Sequence, residues 1–221
     1  MRNSHCILAI AATAAIGLGT LTIAQDKSME SGRPELSKME KPMGAMAKID
    51  KGMAEKMVAS WPEASKMACM AMMEKYGPPN EMTPTHAMWM NNGPWKWTCV
   101  SSMATEHKFP VAHEDVMEQA IDYRVPPEMV SKIVMYDGSV TVKRTEGLLT
   151  ARCDKEGANF LALNLAHEIA TGKRSVEEAR MEYAKQIDMV MKKQPAPLTE
   201  KLMFAPMKDK ANDTDQPAMM K

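Results

Sequence analysis

The sequence predicts an α+β fold in which two β-hairpins form an antiparallel sheet covered by about five helices. Three observations predict it. Two turn clusters, Asn91-Asn92-Gly93-Pro94 and Thr145-Glu146-Gly147, each stand between short runs rich in aromatic and β-branched residues. Stretches with apolar residues at three- and four-residue steps lie around and between these hairpins. Capping and stop signals bound those stretches.

The first 24 residues read as a cleavable signal peptide. Arg2 and His5 precede a small and apolar run from Ile7 through Leu21, and Thr22 and Ala24 put small side chains where a signal peptidase needs them. Cleavage is expected before Gln25, and an uncleaved membrane anchor is the competing reading. Residues 25–59 read as a Met-rich linker, polar to about Lys41, with a helical stripe expected from Pro42 to Val58, where Met43, Met46, Met53 and Met57 recur.

A single α+β domain is expected over 60–193. Ser60 and Glu63 fit a capping box, with Pro62 in the first turn of a helix that Gly77-Pro78-Pro79 stops. The first hairpin spans Thr85 to Met90 and Trp95 to Ser101. His113 to Val125 and Pro127 to Tyr136 read as two helices, and Ser139 to Arg144 with Leu148 to Cys153 as the second hairpin. Asp154 is placed to cap a helix over Ala158 to Ala170, apolar on most of its circumference and thus the most buried. Ser175 and Glu178 box the start of another that runs to about Lys193. From Gln194 to Lys221 the prolines mark a flexible tail.

Trp61-Pro62-Glu63-Ala64-Ser65, Asn91-Asn92-Gly93-Pro94-Trp95-Lys96, Ile121-Asp122-Tyr123-Arg124-Val125-Pro126 and Leu163-Asn164-Leu165-Ala166-His167-Glu168 resemble segments of exported bacterial proteins of unknown function. The resemblance covers residues 60–190. It implies one domain between variable tails and brings no activity, catalytic residue or cofactor.

Charge excludes little but guides the search. The 28 basic and 28 acidic residues balance, and losing Arg2 with the leader leaves a slight acidic excess, so nothing favours nucleic acid. No later segment is apolar enough to span a membrane, so none is expected after cleavage. Three cysteines follow the leader, Cys69, Cys99 and Cys153. An oxidising compartment allows one disulfide, with Cys99 and Cys153 the expected pair and three reduced thiols the alternative.

The unusual feature is methionine, 25 in all, clustered over Met67 to Met73 and around His86-Ala87-Met88-Trp89-Met90. Thioethers are soft donors suited to monovalent copper or silver. On a strand His86, Met88 and Met90 share one face at steps of about 7 Å, which makes them the candidate Cu(I) ligands. The alternative is that methionine serves as a flexible packing residue, scattered through the tails as well.

Other constellations are weaker. His107 and His113 with Glu114 and Asp115 carry zinc donors, but a six-residue step through Phe109-Pro110 fits no common ligand spacing. Asn164 and His167, one turn apart on an apolar helix, read as satisfied buried polar groups. Cys153, His167 and Asp154 lack the local signature of a nucleophile triad, and no phosphate loop, GxSxG turn or calcium loop is present in the sequence. The expected protein is an exported, periplasmic or extracellular, non-enzymatic binding domain of the cell envelope. Trp89, Trp95 and Trp97 could present a recognition surface for a partner, but strand alternation favours Trp95 and Trp97 together on the core side of the sheet. A soft-metal protein using His86, Met88 and Met90 is the first alternative, an enzyme of unrecognised type the second.

Overall fold

Along β2 (His86–Met90), Ala87 and Trp89 are wholly buried while His86, Met88 and Met90 are half-buried, the alternation of a strand with one packed face. Trp89 lies opposite Thr98, and Ala87 opposite Val100, on β3 (Trp97–His107). Thr98 and Val100 in turn face Gln119 and Met117 on β4 (His113–Asp122), and Gln119 faces Ala151 on β6 (Leu148–Cys153). With β1 (Glu81–Met82) and β5 (Val140–Lys143) at the edges, six antiparallel strands run in the order β1-β2-β3-β4-β6-β5. This computed structural model describes residues 47–208 and 211–219. The expected signal peptide and the linker as far as Met46 lie outside the described residues.

The helices pack on that one face. Over the β2 side, α1 (Lys51–Val58) and α2 (Glu63–Tyr76) bury Ala54, Val58, Cys69, Met72 and Met73 against Trp89 and Met117. Over the β6 side, α4 (Glu156–Ala170) buries Phe160, Leu161, Leu163 and Leu165 against Ile121, Leu149 and Ala151. Outside it lie α3 (Val130–Tyr136), entered by a 3-10 turn at Pro127–Met129, and α5 (Val176–Met191). The fold is α+β, as the sequence predicts. Among the described residues no helix is long and apolar enough to cross a membrane.

Both expected hairpins are present as β2–β3 and β5–β6, but the sheet is wider than two hairpins. The segment from His113, expected to be a helix, is the central strand β4. Its Val116, Met117, Ala120 and Ile121 fall at helix-like spacing, yet pairing to β3 and β6 on both sides overrides that pattern. Gln119 conceals the alternation because it is fully buried and polar. Its amide donates to Thr98 Oγ1 (3.1 Å) and accepts from Asn159 Nδ2 (3.0 Å).

Three smaller expectations are also corrected. Ser60 caps nothing; its hydroxyl donates back to the Met57 carbonyl, and α2 begins after Pro62 without a side-chain cap. Asp154 pairs with Lys155 instead of capping α4. Cys69, Cys99 and Cys153 are free thiols. Cys99 pairs with Glu118, which pairs with Arg152, so Cys153 points to the other face from Cys99 and two strands away, beyond disulfide reach. The Ser175–Glu178 capping box is present as expected. Beyond α5, where a loose tail is expected, Asn164 on α4 donates to the carbonyls of Leu198 and Lys201 and accepts from the Met203 amide, and Phe204 stacks on His167.

Candidate metal centre

His107 ends β3 and His113 begins β4, with five residues, 108–112, turning between them. The two histidines are direct cross-strand partners, and Asp115 shares the face of His113 because it lies two residues along the same strand. One nitrogen of each imidazole and one oxygen of the Asp115 carboxylate lie within 4.8 Å of one another. The ladder of two adjacent strands sets this geometry.

Each imidazole turns one nitrogen to Asp115; the other nitrogen of His113 is engaged by a carbonyl, whereas in His107 the nitrogen nearest Asp115, Nδ1, also meets Ser139 Oγ at 3.4 Å. His113 Nδ1 donates to the Val111 carbonyl at 2.9 Å, which turns Nε2 toward Asp115 Oδ1 at 3.1 Å, an ion pair when the imidazole is protonated. Both of those atoms are buried, and neither makes a hydrogen bond, because the approach is out of line despite the short separation. His107 Nδ1 stands 3.4 Å from Asp115 Oδ2, and its Nε2 is 3.7 Å from Asp137 Oδ1. The Ser139 amide (2.9 Å) and hydroxyl (2.8 Å) both donate to that Asp137 oxygen. Asp115 and Asp137 are almost wholly buried.

Burying two carboxylates beside two imidazoles makes a strongly cation-favouring spot. The Asp115 carboxylate first, and the Cys153 thiol second, push His113 up to about 11 against the opposing effect of burial. Cys153 is held up by its own burial, against the pull of His113, and its thiol donates to Asp154 Oδ1 at 3.5 Å. The site separates two recesses. A polar one of about 340 Å³ is lined by Thr105, His107, Asp115, Ser139 and Arg152. A largely apolar one of about 410 Å³ is lined by His113, Cys153, Tyr183, Ile187 and Val190.

The sequence separates these ligands because it reads His113 as the start of a helix. As the first residue of a strand, six positions after His107, it marks a hairpin whose ends face each other. The alternation of His113 and Asp115 is then the signal for a shared face. Asp137, brought in by the end of α3, has no such signal.

The other singled-out residues lie elsewhere. His86, Met88 and Met90 do share one face of β2, the face turned away from the helices. Met72 and Met73 of the Met67 to Met73 run are core residues, whereas Met67 and Met70 are exposed. His167 accepts from or donates to Tyr123 Oη at 2.8 Å and stacks on Phe204, and burial lowers its pKa. The three tryptophans do not form a shared surface, and Trp97 does not join Trp95 on the core side. Trp89 is buried with its Nε1 donating to the Gly77 carbonyl. Trp95 is buried against Phe160 with its Nε1 donating to Glu156, and only Trp97 lies on the outer face, under Lys143. No protein-family model, no curated protein and no solved structure matches this chain.

Proposed function

We propose that this chain is an exported metal-binding domain of the cell envelope that holds a divalent first-row transition ion, zinc by its donor set, at His107, His113 and Asp115. One observation carries the reading. Three donor groups converge on one buried spot, where His113 Nε2 and Asp115 Oδ1 lie 3.1 Å apart and out of line for a hydrogen bond, so that an ion entering there displaces the His113 proton.

Distances support it. Nitrogen and oxygen ligands about 2.0–2.1 Å from a tetrahedral zinc stand roughly 3.3 Å apart, and the two closest donor pairs here are 3.1 and 3.4 Å apart. Behind His113, the Val111 carbonyl takes the place of the partner that fixes tautomer and ring orientation in a ligating histidine. Imidazole and carboxylate donors suit a borderline divalent ion better than a soft monovalent one. Three protein ligands leave a fourth position for water or an exchangeable donor. Export rests on the reading of residues 1–24.

Competition between the chain and a chromophoric zinc chelator tests this. One zinc per chain is expected. Structural zinc sites contribute on the order of 10 kcal/mol, so one of three ligands is worth about 3 kcal/mol, a factor of roughly 100 in Kd. His113→Ala and Asp115→Ala, each checked by circular dichroism for a retained fold, should weaken binding by that factor. Zinc affinity unchanged in both folded variants would refute the proposal. Export is read from the mass of the chain recovered from cells, which should begin at Gln25.

A further inference from the structure

A second donor set of different chemistry stands on the face of the sheet turned away from the helices. Met88 on β2 is the direct cross-strand partner of Cys99 on β3, and both are half-buried on that face rather than packed in the core. Side chains paired this way have Cβ atoms about 4.5–5.5 Å apart, close enough for a thioether and a thiol to meet at one ion. His86 lies two residues from Met88 on the same face. Its Nδ1 is taken by Thr85 Oγ1 at 2.9 Å, which leaves Nε2 as its remaining ring nitrogen. Met90, opposite Trp97, flanks the pair on the other side.

We propose that Met88 and Cys99, with His86 at their side, bind a monovalent soft ion of the Cu(I) or Ag(I) class. The reading is independent of the zinc centre. Thiolate, thioether and imidazole donors select monovalent copper, whereas the histidine–carboxylate set selects a divalent ion, so one small domain separates two metals by donor softness. The register supplies what alternation along β2 alone does not. The three β2 side chains stand about 7 Å apart in succession, too widely spaced to share an ion without a donor from the next strand, and Cys99 is that donor. Two carboxylates share the face. Glu81 is the β1 partner of Met88 and Glu118 the β4 partner of Cys99, with Arg152 beyond Glu118. Glu81 and Glu118 add negative charge next to the sulfur pair. Binding forms a sulfur–copper bond at Cys99 and releases the thiol proton to solvent, with no change in oxidation state.

The full chain, kept anaerobic and reduced, is titrated with Cu(I) against bicinchoninate. One Cu(I) per chain is expected, with a thiolate-to-copper absorption band in the near ultraviolet. Cys99→Ser should abolish the band and weaken binding about a hundredfold, Met88→Leu about tenfold, as expected for losing one strong and one weak ligand. Cys153→Ser and His113→Ala should leave Cu(I) binding unchanged, and His113→Ala alone should lose zinc. Cu(I) affinity that survives Cys99→Ser, or that falls with Cys153→Ser instead, overturns the proposal whatever the zinc result. Zinc lost in His113→Ala together with Cu(I) affinity unchanged in both Cys99→Ser and Met88→Leu would leave only the first centre standing.

Discussion

Glu156 ties three parts of the fold together at one carboxylate. Its Oε1 accepts from Trp95 Nε1 at 2.7 Å and from Tyr76 Oη at 2.6 Å, and its Oε2 pairs with Lys75. The loop before β3, the end of α2 and the first turn of α4 therefore meet there. The indole and phenol bonds to a charged acceptor contribute about 1.5–3 kcal/mol each. Lys75 is half-exposed and adds little. Glu156→Ala leaves the Trp95 donor buried without an acceptor, so a loss of about 3–5 kcal/mol is expected. For a domain of this size that lowers the thermal midpoint by roughly 10 °C. Glu156→Gln keeps a carbonyl acceptor and should cost about 1–2 kcal/mol. Burial works to raise the Glu156 carboxyl, but the bonds from Lys75, Tyr76 and Trp95 outweigh it and set its pKa below the ordinary carboxylate value. A depressed folded pKa stabilises the fold at all pH above the unfolded value, about 4.3, and that contribution is lost as pH falls through the lower, folded one. Urea unfolding followed by tryptophan fluorescence should thus show a constant gap between wild type and Glu156→Gln from pH 7 to 5, narrowing below about 4. An Ala variant less than about 1 kcal/mol from wild type, or a gap that widens in acid, would refute the account.

Two further outcomes follow from single sites. Gly147 has φ +66°, and a Cβ there would lie 2.3 Å from the Ala211 carbonyl oxygen, so Gly147→Ala forces a left-handed alanine and pushes residues near 211 off the β5–β6 turn. A loss of about 1–3 kcal/mol in urea, with faster proteolysis after Met207, is expected; unchanged proteolysis would mean that the contact does not hold the segment. Saturating zinc should slow hydrogen exchange at residues 105–107 and 113–115 more than in α4, because the ion joins both strands of the β3–β4 tip. Uniform protection, or none, would place the ion elsewhere.

How much was legible depended on whether a residue's role was local. The Ser175–Glu178 box and the apolar circumference of α4 act within one turn, and sequence spacing reveals them directly. The β2–β3 turn is equally local. β4 was not legible, because its helix-like run of Val116, Met117, Ala120 and Ile121 becomes a strand only when β3 and β6 bind both its edges. Gln119, the residue that looked least like core, is buried because Thr98 and Asn159 complete its amide from other elements. The same error hid the metal centre. His107, His113 and Asp115 were all singled out, and what separated them was the helix assigned to His113. His86, Met88 and Met90 share a face by strand alternation, yet only the register names Cys99 as their neighbour.

The position of the proposed zinc centre in the sheet gives it a structural consequence as well as a chemical one. β2 last pairs with β3 at Ser101, and β6 last pairs with β4 at Cys153 opposite Met117, so the ladder from Thr105–Asp115 to His107–His113 runs past both neighbours. The register of β3 on β4 also shifts between Val100 and Thr105. A two-stranded ribbon is marginal by itself, and this one buries the Asp115 carboxylate, with Phe109 in its turn packed on Tyr183 and beneath Arg180 of α5. Its polar partners from outside are Asp137 and Ser139, just past the end of α3. A divalent ion between His107, His113 and Asp115 would fasten the two strands to each other and, through Asp137, to α3. Metal affinity and local order at this tip should therefore rise and fall together, while the helix-covered core beneath β4 keeps its stability from apolar burial.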